Sequence, residues 1–321
     1  MRRRSRLNED VDAVRRPEIS LYLPTFTDGP DHDWPATLEL ARAMDAAGAD
    51  RLVVSDHVVF GENPDAYADP SVGGTKGGRQ PTGPDGAWLE PLTVLTALAA
   101  STTRIRLGTS ILLAALRRPA VLAKVLATLD VISAGRVDLG VGVGWQREEY
   151  EACGLPFEGR GRLLDHTLEV CRALWTQQRV SYASAELKFD AIHQMPKPVQ
   201  QGGIPLWISG TVNRAVARRI ARFGSGWIPW GPAIVDLPGS IAAMRDAVRD
   251  AGGDPTDLQV QGTARIVKSA DGAVDYEASM TVVPDLVAAG VTDFRIAAPL
   301  PKVGAAEALT RLVEAFRAAT T

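Results

Sequence analysis

The chain has 321 residues, which is enough for one large domain or two of ordinary size. Its formal net charge of −3 gives no support for nucleic acid or an anionic membrane as a partner. The two cysteines, Cys153 and Cys171, are too far apart for a CxxC motif, so we expect reduced structural thiols. Residues 1–17 are charged but lack the apolar core of a signal peptide, so we expect a disordered arm on a cytoplasmic protein without membrane spans.

Short apolar strands alternate with amphipathic helices along the rest of the chain. The predicted strands are residues 19–23, 51–55, 105–109, 136–141, 205–209, 226–229, 258–267 and 292–297, and the alternative end of the third strand is Leu113. The predicted helices are residues 34–47, 88–100, 119–132, 145–152, 160–175, 212–223, 237–251, 276–289 and 305–318. This order predicts an α/β protein with a (β/α)₈ TIM barrel, and an open doubly wound sheet is the alternative. We expect one barrel domain over residues 18–321, with insertions at about 58–87 and 177–203.

The stretch from Arg117 to Trp145 is a predicted helix and strand that end in the glycine-rich run 140–144. A dinucleotide-binding fingerprint needs glycines at spacings of two and then three, and here those third positions hold Trp145 and Arg147. The run therefore favours a strand end at which the backbone approaches a planar ligand. The alternative is that glycine is needed only for a corner of the barrel.

Asp56 and His57 follow directly after the second predicted strand. Catalytic groups of barrel enzymes lie at the carboxyl ends of the strands, and an imidazole can exchange a proton near neutral pH. This position favours a catalytic role for His57. The alternative is that Asp56 caps a turn and His57 only packs against its neighbours.

Ser209, Gly210 and Thr211 join the fifth predicted strand to a helix. Backbone N–H groups at a helix start, with two hydroxyls and a glycine, are typical of a phosphate site. An ordinary N-cap is the alternative. The four histidines do not show the spacing of metal ligands, so we predict no metal site.

Several of these segments together resemble the bacterial luciferase-like oxidoreductase (luciferase-like monooxygenase) family. The most specific one is RRPAVLAKVLATLDVISAGRVDLGVGVGW at 117–145. Supporting segments are SDH at 55–57, RIRLGTSIL at 104–112, RGRLLDHTLEVCRALW at 160–175 and IPLWISGTVNRAVARRIARFGSGWIP at 204–229. The resemblance implies a barrel that binds FMN or the deazaflavin coenzyme F420, and the segments are most similar to the F420-dependent subgroup.

The resemblance also implies roles for individual residues. It places Asp56 and His57 beside the cofactor ring, and a bulge with a non-prolyl cis peptide at Thr109–Ser110 behind the ring. It implies that Val143 and Gly144 line the cofactor, and that the phosphate lies on Ser209, Gly210 and Thr211. Lys76 and Arg79 are candidates for the glutamate tail of the coenzyme.

One departure from the family pattern concerns the substrate. Related F420-dependent sugar-phosphate dehydrogenases have an acidic residue after the last glycine, where this chain has Trp145. We therefore expect hydride transfer between F420 and a small apolar or aromatic substrate, with His57 and Trp145 as the catalytic-site residues. The substrate pocket is expected from the loop 58–87 and the hairpin near Tyr182.

Two other functions remain open. One is an FMN-dependent monooxygenase that uses O₂ and reduced flavin from a separate reductase. The other is a non-catalytic cofactor-binding subunit. The resemblance further implies a homodimer.

Overall fold

The computed structural model describes residues 16–27, 33–62, 66, 67, 69, 82–301 and 303–321. Most of the predicted arm at 1–17 and part of the insertion at 58–87, including Lys76 and Arg79, lie outside these residues. The strands are β1 (Glu18–Tyr22), β2 (Arg51–Val54), β3 (Arg106–Leu112), β4 (Val137–Val141), β5 (Val180–Ala183), β6 (Lys188–Ile192), β7 (Leu206–Gly210), β8 (Gly226–Pro229), β9 (Gln259–Gly262), β10 (Val267–Lys268), β11 (Val274–Asp275) and β12 (Asp293–Ile296).

Eight of these strands close into a parallel barrel in the order β1, β2, β3, β4, β7, β8, β9 and β12, and β12 pairs again with β1. The (β/α)₈ prediction is therefore confirmed. The remaining strands form two separate antiparallel pairs, β5 with β6 and β10 with β11. The α-helices are α1 (Trp34–Ala46), α2 (Pro91–Ser101), α3 (Pro119–Ile132), α4 (Arg147–Ala152), α5 (Arg160–Thr176), α6 (Arg214–Phe223), α7 (Leu237–Asp250), α8 (Tyr276–Met280), α9 (Val283–Ala288) and α10 (Ala305–Ala319).

Two predicted elements differ from the observed ones. The helix predicted at 276–289 is two helices, α8 and α9, because Pro284 in the first turn of α9 cannot continue the hydrogen bonding of a preceding helix. The strand predicted at 258–267 ends at Gly262, and Val267 belongs instead to the β10–β11 pair outside the barrel.

Helix α3 buries a narrower apolar stripe than its sequence predicts. Leu122, Leu126 and Leu129 are buried between the helix and the barrel. Val125 and Ile132, which share the predicted stripe, are 38% and 48% exposed. The buried face of α3 also includes Ala123 and Ala127, so small residues complete the contact that Val125 and Ile132 do not make.

The lower, amino-terminal part of the barrel interior is filled by an ionic layer rather than by apolar side chains. Arg51 donates to Asp138 at 2.7 Å and to Asp293 at 2.6 Å, and its guanidinium lies 5.1 Å from the centre of the Trp207 ring. Asp293 also accepts hydrogen bonds from Ser20 and Gln261. This layer closes the barrel from below, so a ligand enters from the carboxyl ends of the strands.

Candidate active site

An aromatic wall surrounds His57 at the carboxyl ends of the barrel strands. We use this name for Phe26, Phe60, Tyr67, Trp88, Trp145 and Trp230. The His57 ring lies 4.8 Å from Phe60, 4.7 Å from Trp88 and 6.3 Å from Trp145, measured between ring centres. Tyr67 extends the wall, because its ring lies 5.1 Å from Trp145 and 6.4 Å from Trp230. Stacked and edge-on rings of this kind form a rigid apolar surface that suits a planar ligand.

His57 is held by a buried carboxylate that sequence reasoning missed. Its Nδ1 lies 3.2 Å from Oε1 of Glu149 in α4, and the Glu149 side chain is fully buried. The same Oε1 accepts a hydrogen bond from the backbone N–H of Val58 at 2.8 Å. Glu149 therefore fixes both the imidazole and the first residue of the following loop.

The amide of Gln146 approaches the same nitrogen of His57. Its Oε1 accepts from the N–H of Gly61, which directs its Nε2 towards Nδ1 of His57 at 3.2 Å. An ionised Glu149 accepts only, so it requires a proton on Nδ1, whereas Gln146 in this orientation favours an Nδ1 that accepts. Nε2 of His57 makes no hydrogen bond within the described part of the chain, and the side chain is 12% exposed. This nitrogen is the one available to a ligand.

Asp56 faces away from His57 and forms a buried ion pair. Its Oδ2 accepts from Arg117 at 2.7 Å and from the N–H of Leu113 at 2.9 Å, and its Oδ1 accepts from Arg117 at 3.1 Å. Its side chain is fully buried. The structure thus gives Asp56 a positioning role, because it ties the end of β2 to the turn after β3 and leaves no exposed oxygen for a cofactor.

The predicted bulge is present in β3, but the non-prolyl cis peptide is at Ser110–Ile111 and not at Thr109–Ser110. Thr109 still pairs with Leu139 of β4, and the register shifts only after it. The Thr109 hydroxyl donates to the carbonyl of Gly140 at 2.7 Å and is buried. Ser110 is partly exposed, and its Oγ accepts from Arg295 of β12 at 3.0 Å. Of the two residues, Ser110 is the one with access to the site.

The glycine-rich run 140–144 is explained by the neighbouring strand. A Cβ on Gly140 would overlap the carbonyl oxygen of Thr109, and a Cβ on Gly142 would overlap the side chain of Ile111. A Cβ on Gly144, whose φ is +66°, would lie 2.8 Å from Leu113. These contacts support the barrel-corner interpretation, since backbone blocks a Cβ at Gly140 and the positive φ of Gly144 disfavours other residues. Val143 next to them is partly exposed, and its carbonyl accepts from the Tyr150 hydroxyl at 2.7 Å.

Ser209, Gly210 and Thr211 lie together at the carboxyl end of β7. The N-cap of α6 is Asn213, whose Oδ1 accepts from the N–H groups of Ala215 and Val216. The N-cap interpretation of Ser209 and Thr211 is therefore wrong. Both side chains are partly exposed, and their hydroxyls make no hydrogen bond within the described residues.

The hairpin β5–β6 does not contact the aromatic wall through Tyr182. The Tyr182 hydroxyl lies 3.0 Å from Nδ1 of His166 and 3.2 Å from Glu169, and both of these residues belong to α5. The hairpin thus packs on the outside of a barrel helix, and its part in the predicted substrate pocket is not supported by these contacts. In the described part of the chain, no three His, Cys, Asp or Glu residues cluster in a way that could hold a metal ion.

Sequence reasoning missed Glu149, Gln146, Tyr67 and Arg295. A signal was present for the first two, because they lie three residues apart just after a barrel strand and so share one side of a helical turn. A signal was also present for Arg295, since it alternates with apolar residues in β12 and must face the interior. No local pattern marks Tyr67, whose position depends on the fold of the insertion.

Comparison with known proteins identifies the family of the chain. The family model described as luciferase-like monooxygenase matches residues 18–283. An uncharacterised protein of Mycobacterium tuberculosis is 39% identical over 166 residues, which cover 52% of this chain and 58% of that protein. The F420-dependent glucose-6-phosphate dehydrogenase of Mycolicibacterium gilvum is 31% identical, over 69% of this chain and 61% of its own length.

Solved structures support the fold. An F420-dependent secondary alcohol dehydrogenase, solved with an F420–acetone adduct, superimposes with a TM-score of 0.73 over 94% of this chain and 99% of its own. The sequences are 18% identical, so this likeness concerns the barrel and not the reaction. Among the described residues, no helix is both long enough and apolar enough to cross a membrane.

Proposed function

Because the chain belongs to the luciferase-like monooxygenase family, we propose that it is an oxidoreductase that transfers a hydride between coenzyme F420 and a small apolar or aromatic substrate. One observation carries the proposal: His57 is fixed by the buried Glu149 inside the aromatic wall, and its Nε2 makes no hydrogen bond within the described residues. The family includes F420-dependent and flavin-dependent relatives, and the sequence relative named as F420-dependent favours F420 here.

The residues present fit such a cofactor. The hydroxyls of Ser209 and Thr211, unused within the described residues, can bind its phosphate, and we propose that the partly exposed Ser110, Val143 and Gly144 line its ring. When bound, F420 supplies or accepts the hydride. The role of the chain is to hold the ring against the substrate, to exclude water with the aromatic wall, and to move the accompanying proton at Nε2 of His57.

The wall determines the class of substrate in this proposal. Trp145 occupies the position at which sugar-phosphate dehydrogenases of the resembling subgroup place an acid, and its ring packs against Tyr67. A hydrated sugar would lose hydrogen bonds with water against these rings, whereas an apolar or aromatic group gains contact area. We therefore propose a substrate that stacks on Trp145.

The test is anaerobic oxidation of reduced F420 with a panel of aromatic and aliphatic carbonyl compounds, comparing native protein with His57→Gln and His57→Ala. At saturating coenzyme we expect both variants to oxidise reduced F420 100-fold or more slowly, the usual order of a general acid–base contribution of about 10²–10⁴. Equal rates in native and variant proteins would remove His57 from the reaction.

FMN with O₂ is the second candidate, because the matching family is named for its monooxygenases. Titration of the protein with F420 and with FMN, followed by fluorescence, separates the two. Tight binding of FMN without binding of F420 would overturn the first choice and would require a separate reductase as the source of reduced flavin.

We further propose a homodimer. Apolar side chains are exposed along α3 and on the segment that follows β6, where Val121 is 62%, Met195 56% and Val199 59% exposed. Exposed apolar residues that lie together are typical of an interface. Sedimentation equilibrium should give twice the chain mass, and a monomer at all concentrations would contradict this.

A further inference from the structure

Arg295 lies inside the barrel, one layer above the ionic layer. In β12 the apolar Phe294 and Ile296 are buried in the core between barrel and helices, so Asp293 and Arg295 face the interior. Asp293 belongs to the ionic layer below. Two residues further along the strand, the Arg295 guanidinium reaches across the barrel and donates to Ser110 in the bulge of β3 at 3.0 Å.

The guanidinium has no anionic partner in direct contact among the described residues. Within the described residues its one hydrogen bond goes to the neutral hydroxyl of Ser110, although a guanidinium carries five N–H donors. The buried carboxylate of Asp293, two residues earlier in β12, accepts hydrogen bonds from Arg51, Ser20 and Gln261 instead. Burial lowers the pKa of Arg295, and the nearby Tyr22 and Asp293 only partly offset this effect.

Hydroxyl-bearing side chains of β1 lie next to the same charge, because Ser20 pairs with Arg295 in the barrel register and Tyr22 follows two residues later. The Tyr22 hydroxyl, one layer above Ser20 in β1, lies 2.7 Å from the hydroxyl of Ser55. Tyr22 and Tyr67 are both within electrostatic reach of Arg295, and Tyr67 also belongs to the aromatic wall. A guanidinium with several hydroxyls and no carboxylate in contact is the composition of a site for an anionic oxygen group.

We propose that Arg295, with Ser110 and Tyr22, binds a carboxylate of the substrate on the floor of the barrel opening. The substrate would then be an organic acid with an apolar or aromatic body, which packs on the aromatic wall while its acid group pairs with Arg295. The cofactor phosphate is a poorer candidate for this position, because its proposed site at Ser209 and Thr211 lies at the end of β7, three strands from β12. This inference rests on the proposed function only in placing the substrate in the same opening.

The experiment compares an acid with its uncharged analogue. Binding of cinnamate and of cinnamamide is measured by calorimetry, first on the protein without added cofactor and then with F420 present. The variants are Arg295→Met, which removes the charge, and Arg295→Lys, which keeps the charge but not the two-pronged geometry. Arg218→Met, on the exposed side of α6, is the matched control.

We expect native protein and Arg218→Met to bind cinnamate about 10- to 100-fold more tightly than cinnamamide, the range for a hydrogen bond to a charged group. Arg295→Met should bind both compounds equally, and Arg295→Lys should keep a preference that is several-fold smaller. The melting temperature of Arg295→Met should not fall, because the variant loses no ion pair among the described contacts. Arg295→Lys also secures the comparison if Arg295→Met does not fold.

Two results would overturn the inference. One is equal binding of the acid and the amide by native protein. The other is a cinnamate preference that survives in Arg295→Met. If F420 or FMN affinity also falls 10-fold in this variant, Arg295 would bind the cofactor and not the substrate. Failure of F420 to bind at all would refute the proposed function, yet the comparison made without cofactor would still decide the role of Arg295.

Discussion

Replacing Glu149 with glutamine should change which nitrogen of His57 carries the proton. In the native site, Oε1 of Glu149 and Nε2 of Gln146 both lie 3.2 Å from Nδ1 of His57. The two neighbours therefore favour opposite tautomers. As long as Glu149 is ionised, its carboxylate should favour the Nδ1–H tautomer. This tautomer leaves the Nε2 lone pair free to accept a proton from a ligand.

The size of the effect follows from the charge of the acceptor. A hydrogen bond to a charged group contributes about 1.5–3 kcal/mol, and a neutral one about 0.5–1.5 kcal/mol. Glu149→Gln retains the shape and an acceptor for the Val58 N–H but removes the charge, so about 1–1.5 kcal/mol of the preference should be lost. That difference corresponds to a roughly 5- to 10-fold rise in the ratio of the Nε2–H to the Nδ1–H form.

Long-range ¹H–¹⁵N correlation spectra of the imidazole nitrogens measure this ratio directly and need no substrate. His57→Gln identifies the His57 signals among the four histidines. Glu151→Gln, an exposed carboxylate on the same helix, is the matched control and should leave the spectrum unchanged. Observation of the Nε2–H form in native protein would refute the reasoning, because Gln146 and not Glu149 would then set the tautomer.

Two further predictions concern the barrel that holds the site. Gly140→Ala should destabilise the protein by about 1–3 kcal/mol or more, because the new methyl group meets a backbone carbonyl that cannot move aside. Denaturant titration measures this loss, with Gly83→Ala as the control because its Cβ position is open. Equal unfolding midpoints of the two variants would contradict the prediction. For Asp138, burial would raise the pKa, but the charge of Arg51 and the hydrogen bond from Arg106 outweigh burial and lower it. The ionised Asp138 therefore stabilises the fold above its ordinary pKa of 3.8, and this stabilisation is lost as the pH falls through the lowered pKa. Asp138→Asn should lower the free energy of unfolding by about 3–5 kcal/mol at neutral pH and make it less dependent on pH in acid. A variant with the native acid profile would show that the ionic layer contributes little.

The barrel could be predicted from sequence because each of its units carries its own local signals. Strand and helix periodicities alternate eight times, and the resemblance at 117–145 is independent of them. The errors fall where a local pattern is ambiguous. Pro284 divides one apolar helix into two, and Val125 looks like a core residue of α3 although the facing surface is already filled by leucines.

The site was predictable only in part, because its geometry depends on contacts between distant segments. His57 and the hydroxyls of Ser209 and Thr211 follow from their places at strand ends. Asp56 pairs with Arg117, 61 residues away, and His57 contacts Glu149, 92 residues away. No local pattern could therefore show that Asp56 forms a structural ion pair whereas His57 keeps one ring nitrogen available to a ligand. The glycine run illustrates the same limit, since the residues that require it belong to the bulge of β3.

Interior residues two positions apart in one barrel strand have different roles, one in stability and the other in binding. Ser20 and Asp293 build the ionic layer, and the residues two positions further along, Tyr22 and Arg295, face the opening above it. Charges in the lower layer are compensated by one another, so their loss should be felt mainly as lost stability. The Arg295 guanidinium forms no ion pair within the described residues. Replacing Arg295 should therefore mainly reduce the affinity for an anionic ligand. A strand pattern that repeats every second residue thus assigns neighbouring interior positions of one strand to different tasks.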